Sequence, residues 1–118
     1  MKAFIGCMTT KERNARGEGI STLLVDEATG HLTLSSLYKD LTNPSYLTIS
    51  SDKRFLYSIH GDCSEVTSFS IDSNGVLTQI NQQSTEGKNP VHLVLSPSGT
   101  ELIVTNHKTD SIAVFPIR

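Results

Sequence analysis

Few side chains in this sequence carry acid–base or ligand chemistry at a recognisable spacing, and the four histidines are the natural starting point. His92 lies in a short apolar run, residues 91–95, expected to be a strand. An imidazole placed there can serve as a general base or hold a polar ligand. It can equally be a hydrogen-bonded structural histidine, and that role is the stronger expectation. Asn106 and His107 close the following apolar run, where a polar side chain reaches the rim of a site. Closing a turn is the stronger expectation for both. His31 follows Gly30 and is expected at the surface. His92, Asn106 and His107 are therefore candidate substrate contacts, while the catalytic group itself is not identifiable.

Other chemistries find no support in the spacing. Cys7 and Cys63 are the only cysteines, far apart and outside any metal-ligand pattern, so two reduced structural thiols are expected. Gly17-Glu18-Gly19 lacks the spacing and the following helix of a phosphate loop. There is no Gly-x-Ser-x-Gly elbow. Asp26, Asp72 and Asp110 are scattered at strand ends and read as turn residues, not as a carboxylate pair. No metal and no cofactor is expected.

The elements that must position these residues are set by a repeat. Residues 43–71 recur at 89–117 with a constant shift of 46 and no gap. Asn43 matches Asn89, Pro44 matches Pro90, and Leu47, Ser50, Leu56, Phe69 and Ile71 meet identical residues. Tyr46 falls opposite His92, so this position takes a ring-bearing side chain in both units. The same shift backwards places Val66 on Ile20, Phe69 on Leu23 and Ile71 on Val25. One alternating segment thus occurs three times, at 19–26, 65–72 and 111–118. A period of about 40–50 residues built from short strands is the mark of a β-propeller blade.

Along the chain, ten short strands are expected and no segment has helical periodicity. Residues 3–7 form the first strand and 9–17 a charged loop. Gly30 and Gly75 supply turns that need positive φ. Pro44 is expected to keep Asn43 extended, and both asparagines before proline are expected to fix their connectors by side-chain bonds to backbone. The fold class is all-β: a propeller fragment of about two and a half four-stranded antiparallel blades, with blade parts at 1–38, 39–83 and 84–118. A two-sheet sandwich could also use ten strands, but it has no reason to repeat its sequence.

Composition agrees with one globular domain: 118 residues, 36% apolar, 19% charged and a net charge of −2. That charge predicts no attraction to nucleic acid or to an anionic membrane. The first ten residues are too short in apolar length for an export signal or a span, which places the protein in the cytoplasm. Two and a half blades leave both terminal faces unpacked, since blades bury their faces only against neighbours. Either the ring is completed by further sequence, or copies self-assemble through exposed sheet edges.

Several stretches resemble the N-terminal third of the seven-bladed propeller lactonase family, which includes the 6-phosphogluconolactonases of that fold. They are Phe4-Ile5-Gly6-Cys7-Met8-Thr9, Thr29-Gly30-His31-Leu32, Asn43-Pro44-Ser45-Tyr46-Leu47, Asp52-Lys53-Arg54-Phe55-Leu56-Tyr57, Gly87-Lys88-Asn89-Pro90-Val91-His92-Leu93 and Thr105-Asn106-His107. The resemblance implies hydrolysis of a sugar lactone, 6-phosphogluconolactone of the pentose phosphate pathway. A related branch, the carboxymuconate lactonising enzymes, implies lactone formation instead. The family's proposed catalytic His, Glu and arginines lie on later blades, and no position here matches them. Many members carry Tyr where Met8 and His107 stand. From a different class, a non-catalytic propeller scaffold that binds partners or itself would show a defined oligomer without turnover.

Overall fold

Ten strands arrange themselves into three separate antiparallel sheets in the computed structural model, which describes residues 1–117. The first sheet holds β1 (Lys2–Ile5), β2 (Gly19–Val25) and β3 (Leu32–Lys39). The second holds β4 (Pro44–Ile49), β5 (Phe55–His60), β6 (Glu65–Ile71) and β7 (Leu77–Ser84). The third holds β8 (Pro90–Leu95), β9 (Glu101–Asn106) and β10 (Ser111–Pro116). Within each sheet the strands follow chain order, as consecutive hairpins require. The all-β propeller class and the strand count expected from the repeat both hold. Arg118, last residue of the third repeated segment, lies outside the described residues.

The repeat extends to the irregularities of the ladders. The β4–β5 register slips between Pro44 and Tyr46, and the β8–β9 register slips between Pro90 and His92. The β2–β3 slip at Thr22/Leu23 has its counterpart in β6–β7 at Ser68/Phe69. A bulge inserts one residue and re-aims the side chains beyond it. The second sheet therefore shares one defect with the first sheet and the other with the third.

Packing follows from the period of two along β5. Leu56 joins Ile20, Leu41, Phe69 and Leu77 in a core between the first and second sheets. Its neighbours Tyr57 and Ile59 enter the other core, with Val66, Leu93, Leu102 and Val104, between the second and third sheets. Both faces of β5 are thus covered, and each fully buried Leu, Ile or Phe contributes roughly 1.5–3 kcal/mol. Gly75 marks how closely the sheets approach. Its φ is +80° and an added Cβ would lie 2.8 Å from Thr22 Cγ2, while its carbonyl accepts the Thr22 hydroxyl at 2.9 Å.

The edges differ from sheet to sheet. β1 is the counterpart of β5, not of β4, so the innermost position of the first sheet is open. A groove of about 310 Å³ runs there between β1 and β4, lined by Phe4, Ile5, Gly6, Ser45, Tyr46 and Leu47. At the other end β10 pairs, among the described residues, with β9 alone, and an apolar groove of about 430 Å³ separates it from β6 and β7.

Three local expectations need correction. The first strand spans Lys2–Ile5, not residues 3–7, because Cys7 leaves the ladder and donates its thiol to Gly19 O at 3.0 Å. The charged loop after it contains one turn of 3-10 helix, Lys11–Arg13, closed by Asn14 in the left-handed conformation. Asn43 is not extended: its φ is +46°, and Asn89 matches it at +54°. Asparagine tolerates that region, and here its side chain replaces the missing partners. Asn43 Oδ1 accepts Thr9 N (2.8 Å) and Thr10 N (3.2 Å), and Nδ2 donates to Gly61 O at 3.0 Å. Asn89 Oδ1 accepts Asp62 N at 2.8 Å. The expected side-chain anchoring of both connectors is therefore present, with each asparagine reaching back to the preceding sheet.

Asn43→Ala removes three such bonds from a side chain that is 1% exposed and should cost about 2–4 kcal/mol in urea unfolding. Asn89→Ala, which loses one recorded side-chain bond, should cost less. Equal costs would show that the anchor across the first two sheets carries no special weight.

Candidate functional site

The strands that begin the second and third sheets, β4 and β8, lie side by side at the inner edge of the assembly. At the end where they start and where β5 and β9 finish, the chain gathers five of its connections, the longest among them. These are residues 6–18, 40–43, 61–64, 85–89 and 107–110. The bulge after each proline turns the next ring outward. The Tyr46 and His92 rings pack with centroids 4.7 Å apart and planes inclined by 57°. Tyr46 remains 42% exposed and His92 is also exposed. Among the described residues no hydrogen bond engages the His92 imidazole, so both ring nitrogens are open to solvent or ligand.

Asn106 and His107 lie at the same end but face differently. Asn106 is cross-strand from Pro90, one step along the ladder from His92 opposite Thr105. Its side chain is 1% exposed and turned between the second and third sheets. Nδ2 donates to Thr85 O at 3.0 Å and to Ser111 Oγ at 3.1 Å, while Oδ1 has no partner. Gly87 makes room for this cluster: an added Cβ would fall 2.5 Å from Asn106 Nδ2. His107 is exposed, and its backbone N donates to Asn89 O at 2.9 Å. The structure therefore leaves His92 and His107 exposed at the same end of the third sheet and buries Asn106.

The position equivalent to Asn106 in the second sheet is His60, a residue not singled out from the sequence. It is 2% exposed. Its Nδ1 lies 2.5 Å from Thr42 O, which can only accept, so that nitrogen carries the proton. Gln82 Nε2 donates to Thr67 Oγ1 at 2.9 Å, leaving the Thr67 proton free for His60 Nε2 at 2.7 Å. Alignment at the repeat shift was the available signal, since a polar residue recurs where each second strand ends.

A charged contact at the same end was hidden from the sequence. Arg13, at the end of the 3-10 turn, donates Nε and Nη2 to the two carboxylate oxygens of Asp62, each at 2.6 Å. The residues are 49 apart in sequence. Hydrogen bonds from Arg13 hold the Asp62 carboxyl below its ordinary range, helped by the charges of Arg13 and Lys108. Connection 6–18 is longer than 61–64 and 107–110, and its extra residues provide this arm. The two cysteines are free. Burial, and then Glu65 and Asp62, push the Cys63 thiol up, which disfavours a reactive thiolate. Among the described residues no group of three or more His, Cys, Asp or Glu is placed to hold a metal ion. Among the same residues no helix is long and apolar enough to cross a membrane.

Three successive antiparallel sheets, one of four strands and two of three, each packed face to face with the next, define a propeller blade array. The chain belongs to the family of seven-bladed β-propeller lactonases, whose model matches residues 2–118. It is 33% identical to a 6-phosphogluconolactonase of Formosa agariphila over 97% of this chain and 33% of that protein. It superposes on a provisionally assigned 6-phosphogluconolactonase of Bacteroides fragilis with a TM-score of 0.87 and 31% identity, covering 99% of this chain and 32% of the other. The periplasmic gluconolactonase of Pseudomonas aeruginosa gives a TM-score of 0.81 and 29% identity, with 98% and 34% covered. The chain thus spans about a third of the length of the relatives it matches.

The Arg13–Asp62 pair makes a pH prediction with a definite sign. A carboxylate whose folded value is lowered stabilises the fold above its unfolded value, and the contribution disappears as pH falls through the folded one. Asp62→Asn should flatten the acid limb of the stability curve, and 0.5 M salt (roughly a 4 Å screening length) should shrink the difference. An acid limb unchanged by the substitution would mean that the pair does not form in solution.

Proposed function

We propose that this chain forms the N-terminal part of a lactonase that hydrolyses a sugar lactone, with 6-phosphogluconolactone as the favoured substrate and 6-phosphogluconate as product. The observation that carries this reading is the unbonded, exposed His92 imidazole beside Tyr46 on the innermost strands of a lactonase-family propeller. The names of the relatives point the same way.

Hydrolysis adds water to the lactone carbonyl, breaks the ring C–O bond and returns a proton to the departing oxygen. It needs a base for the water and donors for the oxyanion that develops. His92 has the free nitrogen for either contact, and this reading assigns the exposed His107 to a polar group of the sugar. Asn106 donates to Thr85 and Ser111 at the same end. The 6-phosphate requires Arg or Lys donors, which this reading assigns to other blades. The open edges of β1 and β10 are where those blades, or another chain, would add strands. A doubly charged sugar phosphate does not diffuse through membranes, so the cytoplasm is the compartment proposed.

The test is a lactonase assay on this chain and on a longer form that supplies the remaining blades. The longer form should turn over 6-phosphogluconolactone, and His92→Ala should lower kcat/KM by about 10²–10⁴-fold. A folded ring with no lactone turnover would remove the enzymatic reading. Full activity of the His92→Ala form would remove His92 from the site.

A further inference from the structure

A histidine that binds or activates a ligand needs its ring plane held, and the usual device is a hydrogen bond from one nitrogen to a carboxylate or carbonyl. His60 shows that device in this chain, with Thr42 and Thr67 fixing both nitrogens. His92 has no such bond among the described residues. What meets its ring is Tyr46, at 4.7 Å between centroids and 57° between planes. Aromatic pairs at this separation attract one another and favour particular relative ring orientations. Tyr46 is itself set by the bulge after Pro44, as His92 is by the bulge after Pro90. Two copies of one local structure therefore place two rings in contact, and the tyrosine hydroxyl makes no recorded bond that would tie it elsewhere.

We propose that Tyr46 is a positioning residue for the His92 imidazole, fixing its plane by ring packing and leaving both nitrogens free for the ligand. The contact stands by itself, and its kinetic consequence rests on the lactonase reading above. Since packing alone does the work, any six-membered aromatic ring at position 46 suffices and an aliphatic one does not.

Two measurements test this separately. In proton NMR of this chain, the Tyr46 ring current should displace the His92 ring-proton resonances. Tyr46→Phe should preserve that displacement, and Tyr46→Leu should move the resonances to those of a free imidazole. Identical His92 resonances in the wild-type and Tyr46→Leu chains would overturn the proposal whatever the activity. In the longer form, Tyr46→Leu should lower kcat/KM by about 10–100-fold, while Tyr46→Phe stays within about twofold. Combined with His92→Ala, Tyr46→Leu should cause no further loss. An additive loss in the double variant would show that Tyr46 acts without His92 and would also overturn the proposal. A folded longer form without lactone turnover counts against the lactonase reading, and the resonance comparison then decides the positioning role.

Discussion

Everything in this chain depends on covering both faces of a sheet at once. β5 shows the constraint most directly, because its successive side chains alternate between two separate cores. Leu56 faces Ile20 and Phe69, while Tyr57 and Ile59 face Leu93, Leu102 and Val104. A single sheet of four strands has no interior of its own. It becomes stable only when a copy of itself lies on either side, and the second sheet alone meets that condition within the chain. The first and third sheets each keep one face without a neighbour, where apolar side chains such as Ile112 and Val114 stay exposed. Blade packing is thus both the source of stability and the reason for a family built as closed rings.

Where the chain passes from one sheet to the next, apolar packing gives way to polar anchors. His60 and Asn106 occupy the same repeat position, and each binds the carbonyl of a connecting segment, Thr42 or Thr85. Asn43 and Asn89 perform the reciprocal step, turning in the left-handed region and reaching back to the loop of the sheet before. Buried polar groups of this kind are expensive unless satisfied, and these bonds, which leave Asn106 Oδ1 aside, tie neighbouring blades together. The end that carries His92, Tyr46 and His107 is built on that scaffold. Exposed rings can therefore be held in place without being buried.

Much of this could be read from the residues. The shift that pairs Pro44 with Pro90 and Phe69 with Phe115 revealed the unit, and it holds down to the bulges. Positive φ at Gly30 and Gly75 followed from turn chemistry. Asn43 ran against the extended conformation expected before proline, because three side-chain bonds outweigh a local steric preference. The 3-10 turn at Lys11–Arg13 was invisible to periodicity, being one turn long and held partly by Asp62 in the turn between β5 and β6. At the site, His92 could be named from its place in an inner strand. Tyr46 was recognised as its counterpart but not as its neighbour.

The sequence by itself determined the strand repeat, the alternation that divides each strand between two cores, and the turns. These depend on contacts within one unit and on side-chain volume and polarity. Only the tertiary structure decided that Tyr46 meets His92, that Arg13 reaches Asp62, and that Asn106 turns inward while His107 turns out. Those outcomes depend on how far apart two blades sit and how they are rotated. That spacing is the sum of many packed contacts, and no single stretch of residues encodes it.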